Sequence, residues 1–469
     1  MESPSLSTCG CHLVAMPYPA RGHINPMMNF CKLLVSNNTG IILVTFVVTE
    51  EWLGFIGSDP KPDSIRYATI PNVIPSELTR ANDHPGFMEA VMTKMEVPFE
   101  ELLNRLQPPP TAIVPDTFLY WAVAVGNRRN IPVASFWTMS ASIFSVLHHH
   151  HLLVQNGHYP VNLSENGGER VDYIPGISSM RLVDFPLNDG SCRSKQLLQI
   201  SLKGFEWVSK AQHLLITSIY ELEPQAIDVL KAELSLPIYT IGPAIPYFSL
   251  EKNPTLSTTN GTSHSYMEWL DAQPDRSVLY ISQGSYFSVS RAQVDEIAFA
   301  LRESDIRFLW VARSEASRLK EICGSKGLVV TWCDQLRVLS HSSIGGFWSH
   351  CGWNSTKEGV LAGVPFLTFP IIMDQPIDSK MIVEDWKVGW RVNEDVNVNN
   401  TLVKKDEIVM LVQKFLDLNS EHAREIRERS KTLRQICRRA ITNGGSAVTD
   451  LNAFVGDLMQ TNIDSMNTL

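Results

Sequence analysis

The stretch from Trp332 to Gln375 constrains this chain more than any other. Its middle reads Gly345-Gly346-Phe347-Trp348-Ser349-His350-Cys351-Gly352-Trp353-Asn354-Ser355. A short apolar strand, Ile344 to Trp348, runs into a glycine-containing turn. Ser355-Thr356-Lys357-Glu358 fits a capping box, and the helix it opens is expected to end near Gly363. A second apolar run, Val364 to Phe369, gives way to Pro370 and then to Asp374-Gln375. In a strand–helix–strand unit, ligands collect outside the carboxyl ends of the strands, and free N–H groups at the helix start attract phosphate. His350, Asn354 and Ser355 stand at that start, and Asp374 and Gln375 come off the end of the next strand. A phosphate therefore belongs against the first group and a polyhydroxylated moiety against the second.

In order and spacing, Trp332-Cys333-Asp334-Gln335, His350-Cys351-Gly352-Trp353-Asn354-Ser355, Glu358 and the closing Asp374-Gln375 resemble the signature box of plant secondary-product UDP-glycosyltransferases. The resemblance implies that Trp332, with Cys333 beside it, stacks on uracil and that Gln335 and Glu358 bond the ribose hydroxyls. His350, Asn354 and Ser355 would hold the diphosphate, with Trp353, Asp374 and Gln375 around the sugar. Two departures are mild: Cys333-Asp334 replaces the common Ala-Pro, and Lys357 stands where an aliphatic residue is usual. Read singly, Glu358 is a capping carboxylate, Trp332 a buried aromatic and Cys351 inert packing. The set in register is what points to a sugar-nucleotide site.

A chain of 469 residues is too long for one core. The expected division is residues 1–243, a linker at 244–264 rich in Pro, Ser, Thr and Asn, a second domain at 265–450, and a C-terminal helix at 451–469. Forty basic against 49 acidic residues give a net charge of −9 with no long basic block, which argues against nucleic acid or an anionic membrane as partner. The first residues, Met1 to Gly10, show no secretory pattern. Ile131 to Leu147 is interrupted by Pro132 and several hydroxyl residues, and reads as a strand followed by a helix rather than a membrane span. The eight cysteines form no C-x-x-C pair, so with no secretory pattern free thiols and the cytosol are expected; a monomer is the expected state.

His12 to Pro17 is an apolar strand, and Pro26 marks the expected helix start, consistent with a first-turn proline. Ile41 to Val48 is a continuous apolar run, the mark of a strand buried on both faces. His23 then lies on the loop after the first strand, at the carboxyl edge. Tyr18-Pro19-Ala20-Arg21-Gly22-His23-Ile24-Asn25-Pro26 resembles the family's N-terminal loop, which implies that His23 is a general base and that Gly22 lies near the donor. Ala112 to Pro115 ends in Asp116, either a helix cap or, by the resemblance, the partner of the histidine. Gln283-Gly284-Ser285 resembles a loop touching the diphosphate, which carries over Gly284 and Ser285. No G-x-G-x-x-G occurs, against a dinucleotide dehydrogenase. A non-catalytic sugar-nucleotide sensor is the other rival, and the retained His23 and Asp116 count against it.

Four histidines, His148 to His151, invite a metal reading. On a continuous helix only His148 and His151 share a face, and the sequence places no further ligand nearby, so no metal is expected. The resemblance puts this helix beside an acceptor pocket, with Phe118, Trp121, Phe136 and His148 as wall candidates. Together these features imply the GT-B architecture: two Rossmann-like α/β domains with parallel sheets facing a central cleft. The implied reaction is inverting transfer of glucose from UDP-glucose to a hydroxyl of a lipophilic small molecule, without cofactor. Imidazole titrates near ~6.5 and a phenol near ~10, so the proton should move in the transition state rather than before it. A box closing in glutamine resembles those of glucose users.

Overall fold

A computed structural model describes residues 10–38, 40–187, 190–247, 263–284, 289–393 and 402–467. Most of the expected linker lies outside the described residues, as does Ser285. The first half builds β1 (Cys11–Met16), β2 (Ile42–Thr49), β3 (Ile65–Ile70), β4 (Ala112–Pro115) and β5 (Ala134–Trp137). A short antiparallel hairpin, β6 (Arg170–Val171) and β7 (Met180–Arg181), precedes β8 (His213–Ile216) and β9 (Ile238–Thr240). Two bridges, Ile113 to Val133 and Asp116 to Phe136, join the strand groups into one parallel order, β3-β2-β1-β4-β5-β8-β9. Every residue of β1 is buried, as a strand covered by helices on both faces requires.

The second half repeats the plan with β10 (Val278–Ser282), β11 (Arg307–Val311), β12 (Gly327–Val330), β13 (Ile344–Ser349), β14 (Phe366–Thr368) and β15 (Gly389–Arg391). Their order is β12-β11-β10-β13-β14-β15, again all parallel. Strand order reverses between β1 and β4 in one sheet and between β10 and β13 in the other. Those two crevices are where a doubly wound sheet binds its ligands.

The C-terminal helix begins at Ser446, before the expected 451, and runs to Asn467. It returns to the first sheet, where Leu451, Phe454, Val455 and Leu458 pack into the core holding Phe30, Phe136 and Tyr239. Fully burying one such side chain contributes about 1.5–3 kcal/mol. Asp450 adds direction, accepting from both the Thr240 N–H at 2.8 Å and its hydroxyl at 2.7 Å. No described helix is long and apolar enough to cross a membrane.

Candidate active site

The helix after β1 spans Arg21–Asn37 and so already contains His23 in its first turn, not on a loop. Pro26 is interior to it rather than at its start. A proline at that depth has no N–H to return to the carbonyl of residue 22. That freed carbonyl is used: Asn354 Nδ2, from the other domain, donates to Gly22 O at 2.9 Å. The proline thus creates an acceptor on the His23 helix for a residue of the expected diphosphate site. Pro26→Ala should raise helix stability by up to about 3 kcal/mol, because alanine restores the missing bond. It should also loosen UDP-sugar binding by about twofold, as the new alanine N–H comes to share the Gly22 carbonyl with Asn354. Thermal melting and donor KM measured on one preparation check both signs.

His23 Nδ1 lies 2.7 Å from Asp116 Oδ2 and 3.1 Å from Thr138 Oγ1. Asp116 is buried at the end of β4, and its other oxygen accepts from the Phe118 N–H at 3.1 Å. The next helix starts only at Tyr120, so Asp116 orders the turn rather than capping that helix. A carboxylate accepts a hydrogen bond from Nδ1–H and so leaves the lone pair on Nε2. Thr138 was not foreseen; only the neighbouring strand end could have hinted at it.

Of the wall candidates, Phe118 is in place, its ring 6.0 Å from that of His23. Phe136 is not: it faces the opposite side of the sheet, 5.3 Å from Phe30 in the core. Trp121 is also core, its indole N–H bonded to Val91 O at 3.2 Å and its ring packed on Phe99. Trp137, 5.7 Å from Phe118, takes the position expected of Phe136. His148 stacks beside Phe144, one aromatic further out.

Across the cleft, the helix after β13 starts at Trp353 with Gly352 as its cap. The capping box is therefore not formed. Ser355 and Glu358 instead both accept from Gln335 Nε2, at 2.8 and 2.7 Å, while Tyr280 OH donates to Gln335 Oε1 at 3.0 Å. The helix ends at Ala362, with Gly363 left-handed at φ 73°, as expected. With no side-chain cap, the first-turn N–H groups of Asn354 and Ser355 are open to an anion. His350 is wedged between Gly284 and Gly352, where a Cβ on either would come within 2.7 Å of its ring. Burial pushes the His350 pKa down to about 4, so it is a neutral donor near pH 7. Trp332 is 68% exposed, an unusual state for tryptophan and one that suits a stacking platform. Cys333 is buried under it, its thiol 3.4 Å from Tyr280 OH, so any part it plays in the donor site falls to its backbone.

Two box residues tie this helix to the first domain. Trp353 donates its indole N–H to Thr217 O of the first domain at 2.8 Å. Lys357, the aliphatic departure, is buried and donates to the same carbonyl at 3.2 Å. Burial lowers the Lys357 pKa to about 7, and Glu358, Asp378, Glu223 and Asp374 push it back up. Asp378 accepts from Ser140 Oγ at 3.0 Å. Asp374 lies close enough to His23 for the imidazole charge to oppose the upward shift that burial imposes on its carboxyl. His23 and Asp374 therefore lie within electrostatic reach of each other.

A model of the family described as UDP-glucoronosyl and UDP-glucosyl transferase matches residues 248–444. UDP-glycosyltransferase 87A1 of Arabidopsis thaliana is 52% identical over 446 residues, covering 94% of this chain and 99% of its own length. The chain is a plant family 1 UDP-glycosyltransferase. Its relative 87A2 from the same plant is 51% identical over 454 residues, covering 96% of this chain and 97% of its own. Among solved structures, Phytolacca americana UGT2, complexed with UDP-2-fluoro-glucose and pterostilbene, superimposes with a TM-score of 0.80 at 25% identity, covering 96% of this chain and 99% of that one. Os79 from O. sativa, solved with a trichothecene, gives a TM-score of 0.81 at 26% identity, covering 95% of this chain and all of its own. The paired sheets are thus those of a GT-B transferase.

In this transferase Glu358 carries a pKa raised to about 7, chiefly by burial and partly by Asp334, against the pull of Gln335 and Lys357. Ribose hydroxyls, which the resemblance places against Glu358, are donors and need the ionised carboxylate. UDP affinity should therefore fall as pH drops below 7, by up to about tenfold per unit. Glu358→Gln should bind more weakly at pH 8 and show a shallower slope. Calorimetric titration of UDP between pH 5.5 and 8 reads both.

Proposed function

We propose that this transferase moves glucose from UDP-glucose to a hydroxyl of a lipophilic small molecule with inversion at the anomeric carbon. The observation that carries the reading is the 2.7 Å His23–Asp116 pair set beside Asp374 and tied to Asn354 through Gly22 O. His23 Nε2 takes the acceptor proton as its oxygen attacks the anomeric carbon from the face opposite UDP. Asp116 and Thr138 hold the ring in one tautomer and stabilise the imidazolium that forms. Charge gathering on the leaving diphosphate meets donors already in place: the open helix start at Asn354 and Ser355, and neutral His350. Trp332 and the Gln335–Glu358 pair hold the nucleoside, and Asp374 with Gln375 the sugar.

Phe118, its ring beside His23, is the aromatic side chain nearest the base on the acceptor side, with Trp137 buried behind it. The pokeweed relative's complex with pterostilbene and the rice relative's with a trichothecene support a lipophilic acceptor. Mass-spectrometric screening of mixed aglycones with UDP-glucose tests the reading; a β-linked product by proton NMR supports inversion, and an α-linked one overturns it. Because fixed donors carry the diphosphate charge, transfer should survive dialysis against a chelator with little loss. Abolition restored by Mg²⁺ or Mn²⁺ would overturn the leaving-group account.

A further inference from the structure

The four-histidine tract belongs to no step above, and its surroundings differ from a continuous helix. One helix, Ala141–His148, ends at His148, and the next, His150–Gln155, begins two residues on. His149 sits at the break with φ −95° and ψ 15°, so two adjacent imidazoles turn to the same side, their centroids 4.9 Å apart. There they meet Glu233, the last residue of the helix Pro224–Glu233. Glu233 Oε2 lies 2.8 Å from His149 Nε2 and 3.7 Å from His148 Nε2. The ligand atoms of all three lie within 4.8 Å of one another.

The tautomer of His149 decides what belongs between them. Its Nδ1 is 2.9 Å from the Ser145 carbonyl, which only accepts, so Nδ1 carries the hydrogen. The Ser145 hydroxyl, 3.2 Å from the same nitrogen, spends its own proton on Pro175 O at 2.7 Å. Nε2 of neutral His149 therefore points a lone pair at a carboxylate oxygen, two acceptors face to face. A positive charge has to lie between them: a second proton on His149 or a metal cation. A proton there leaves His148 unused, whereas a cation takes all three groups. A backbone carbonyl that fixes the far nitrogen of a ligating histidine is the usual outer support of such sites.

We propose that His148, His149 and Glu233 form a binding site for a borderline transition-metal dication, best suited to Zn²⁺, separate from the transfer site. Two imidazoles and one carboxylate, with water at the open position, match zinc's ligand preference. Tetrahedral bonds of about 2.0–2.2 Å require ligand atoms somewhat further apart than the His149–Glu233 contact. Glu233, 38% exposed, has room to swing outward. Metal there would clamp the end of the helix carrying Phe144 to the helix ending at Glu233, behind the aromatic acceptor wall.

The test uses the full chain after chelator treatment, titrated calorimetrically with Zn²⁺ alone. One equivalent should bind with micromolar affinity, and Co²⁺ in its place should give the visible absorption of a four-coordinate site. Glu233→Gln and His148→Gln should each weaken the metal about 10–100-fold. UDP binding by Glu233→Gln should match the wild type, which separates loss of the site from loss of fold. Equal Zn²⁺ affinity in wild type and both variants would mean adventitious binding at other histidines and would overturn the proposal. Absence of stoichiometric binding would overturn it too, leaving a proton-bridged His149–Glu233 pair. Neither outcome bears on chelator-resistant transfer, because the three residues lie outside the donor and base machinery.

Discussion

His23→Ala should lose about 10²–10⁴-fold in turnover while binding UDP as tightly as the wild type, because only the proton acceptor is removed. The geometry makes the effect specific to one nitrogen. Asp116, buried and 2.7 Å from Nδ1, can be satisfied only by the tautomer that leaves Nε2 unprotonated. Asp116→Asn offers a carboxamide of the same shape but no charge to stabilise the imidazolium, and should cost a comparable factor. The two losses should not add, since a disoriented base and an absent base end at the same residual rate. Steady-state kinetics on a phenol, with UDP affinity measured separately, decide the matter. A His23→Ala variant keeping more than half its rate would remove His23 from the mechanism.

The donor box was legible because its parts are close in sequence and their roles depend on order. The resemblance puts Gln335 and Glu358 on the ribose and Ser355 on the diphosphate, and the structure joins all three into one network through the Gln335 amide. What sequence could not supply was direction. The strand Ala134–Trp137 is buried on both faces, so nothing in its apolar run says which of Phe136 and Trp137 faces the cleft. Pro26 misled for a related reason: proline favours a helix's first turn, and its interior position makes sense only once Asn354 is seen across the cleft. The Ser355–Glu358 spacing satisfies a local rule, but Gln335, outside that helical turn, donates to both side chains. Glu233 lies far along the chain from His148, and only the packing of their two helices brings them together. Local periodicity and spacing recover elements and nearby motifs, while long-range partners depend on topology.

The sugar-side carboxylate sets the second large effect. Asp374 follows β14 and, despite burial that raises its pKa, receives the Trp353 N–H and lies within electrostatic reach of His23. Gln375 is less versatile than its side chain suggests. Its Oε1 already accepts from the N–H groups of Ile371 and Ile372, at 2.7 and 3.0 Å, so only its NH₂ is left for a ligand. The pair therefore offers an acceptor from Asp374 and a donor from Gln375, a combination that can read two adjacent sugar hydroxyls. Hydrogen bonds to a charged group are worth about 1.5–3 kcal/mol each, so Asp374→Ala should lower kcat/KM for UDP-glucose by about 10²–10³-fold. Glucose and galactose differ only at carbon 4, and an epimer that misplaces that hydroxyl leaves the half-buried carboxylate unpaired. UDP-glucose should thus outcompete UDP-galactose by about tenfold or more, with a pentose donor, lacking the outer hydroxymethyl group, as its nearest rival. Asp374→Ala should narrow that ratio as well as slow the reaction, which a merely structural role would not do. Competing UDP-glucose, UDP-galactose, UDP-xylose and UDP-glucuronate at equal concentration reads the preference directly. A clear lead for any but the first would overturn the glucose assignment and leave the His23–Asp116 mechanism standing.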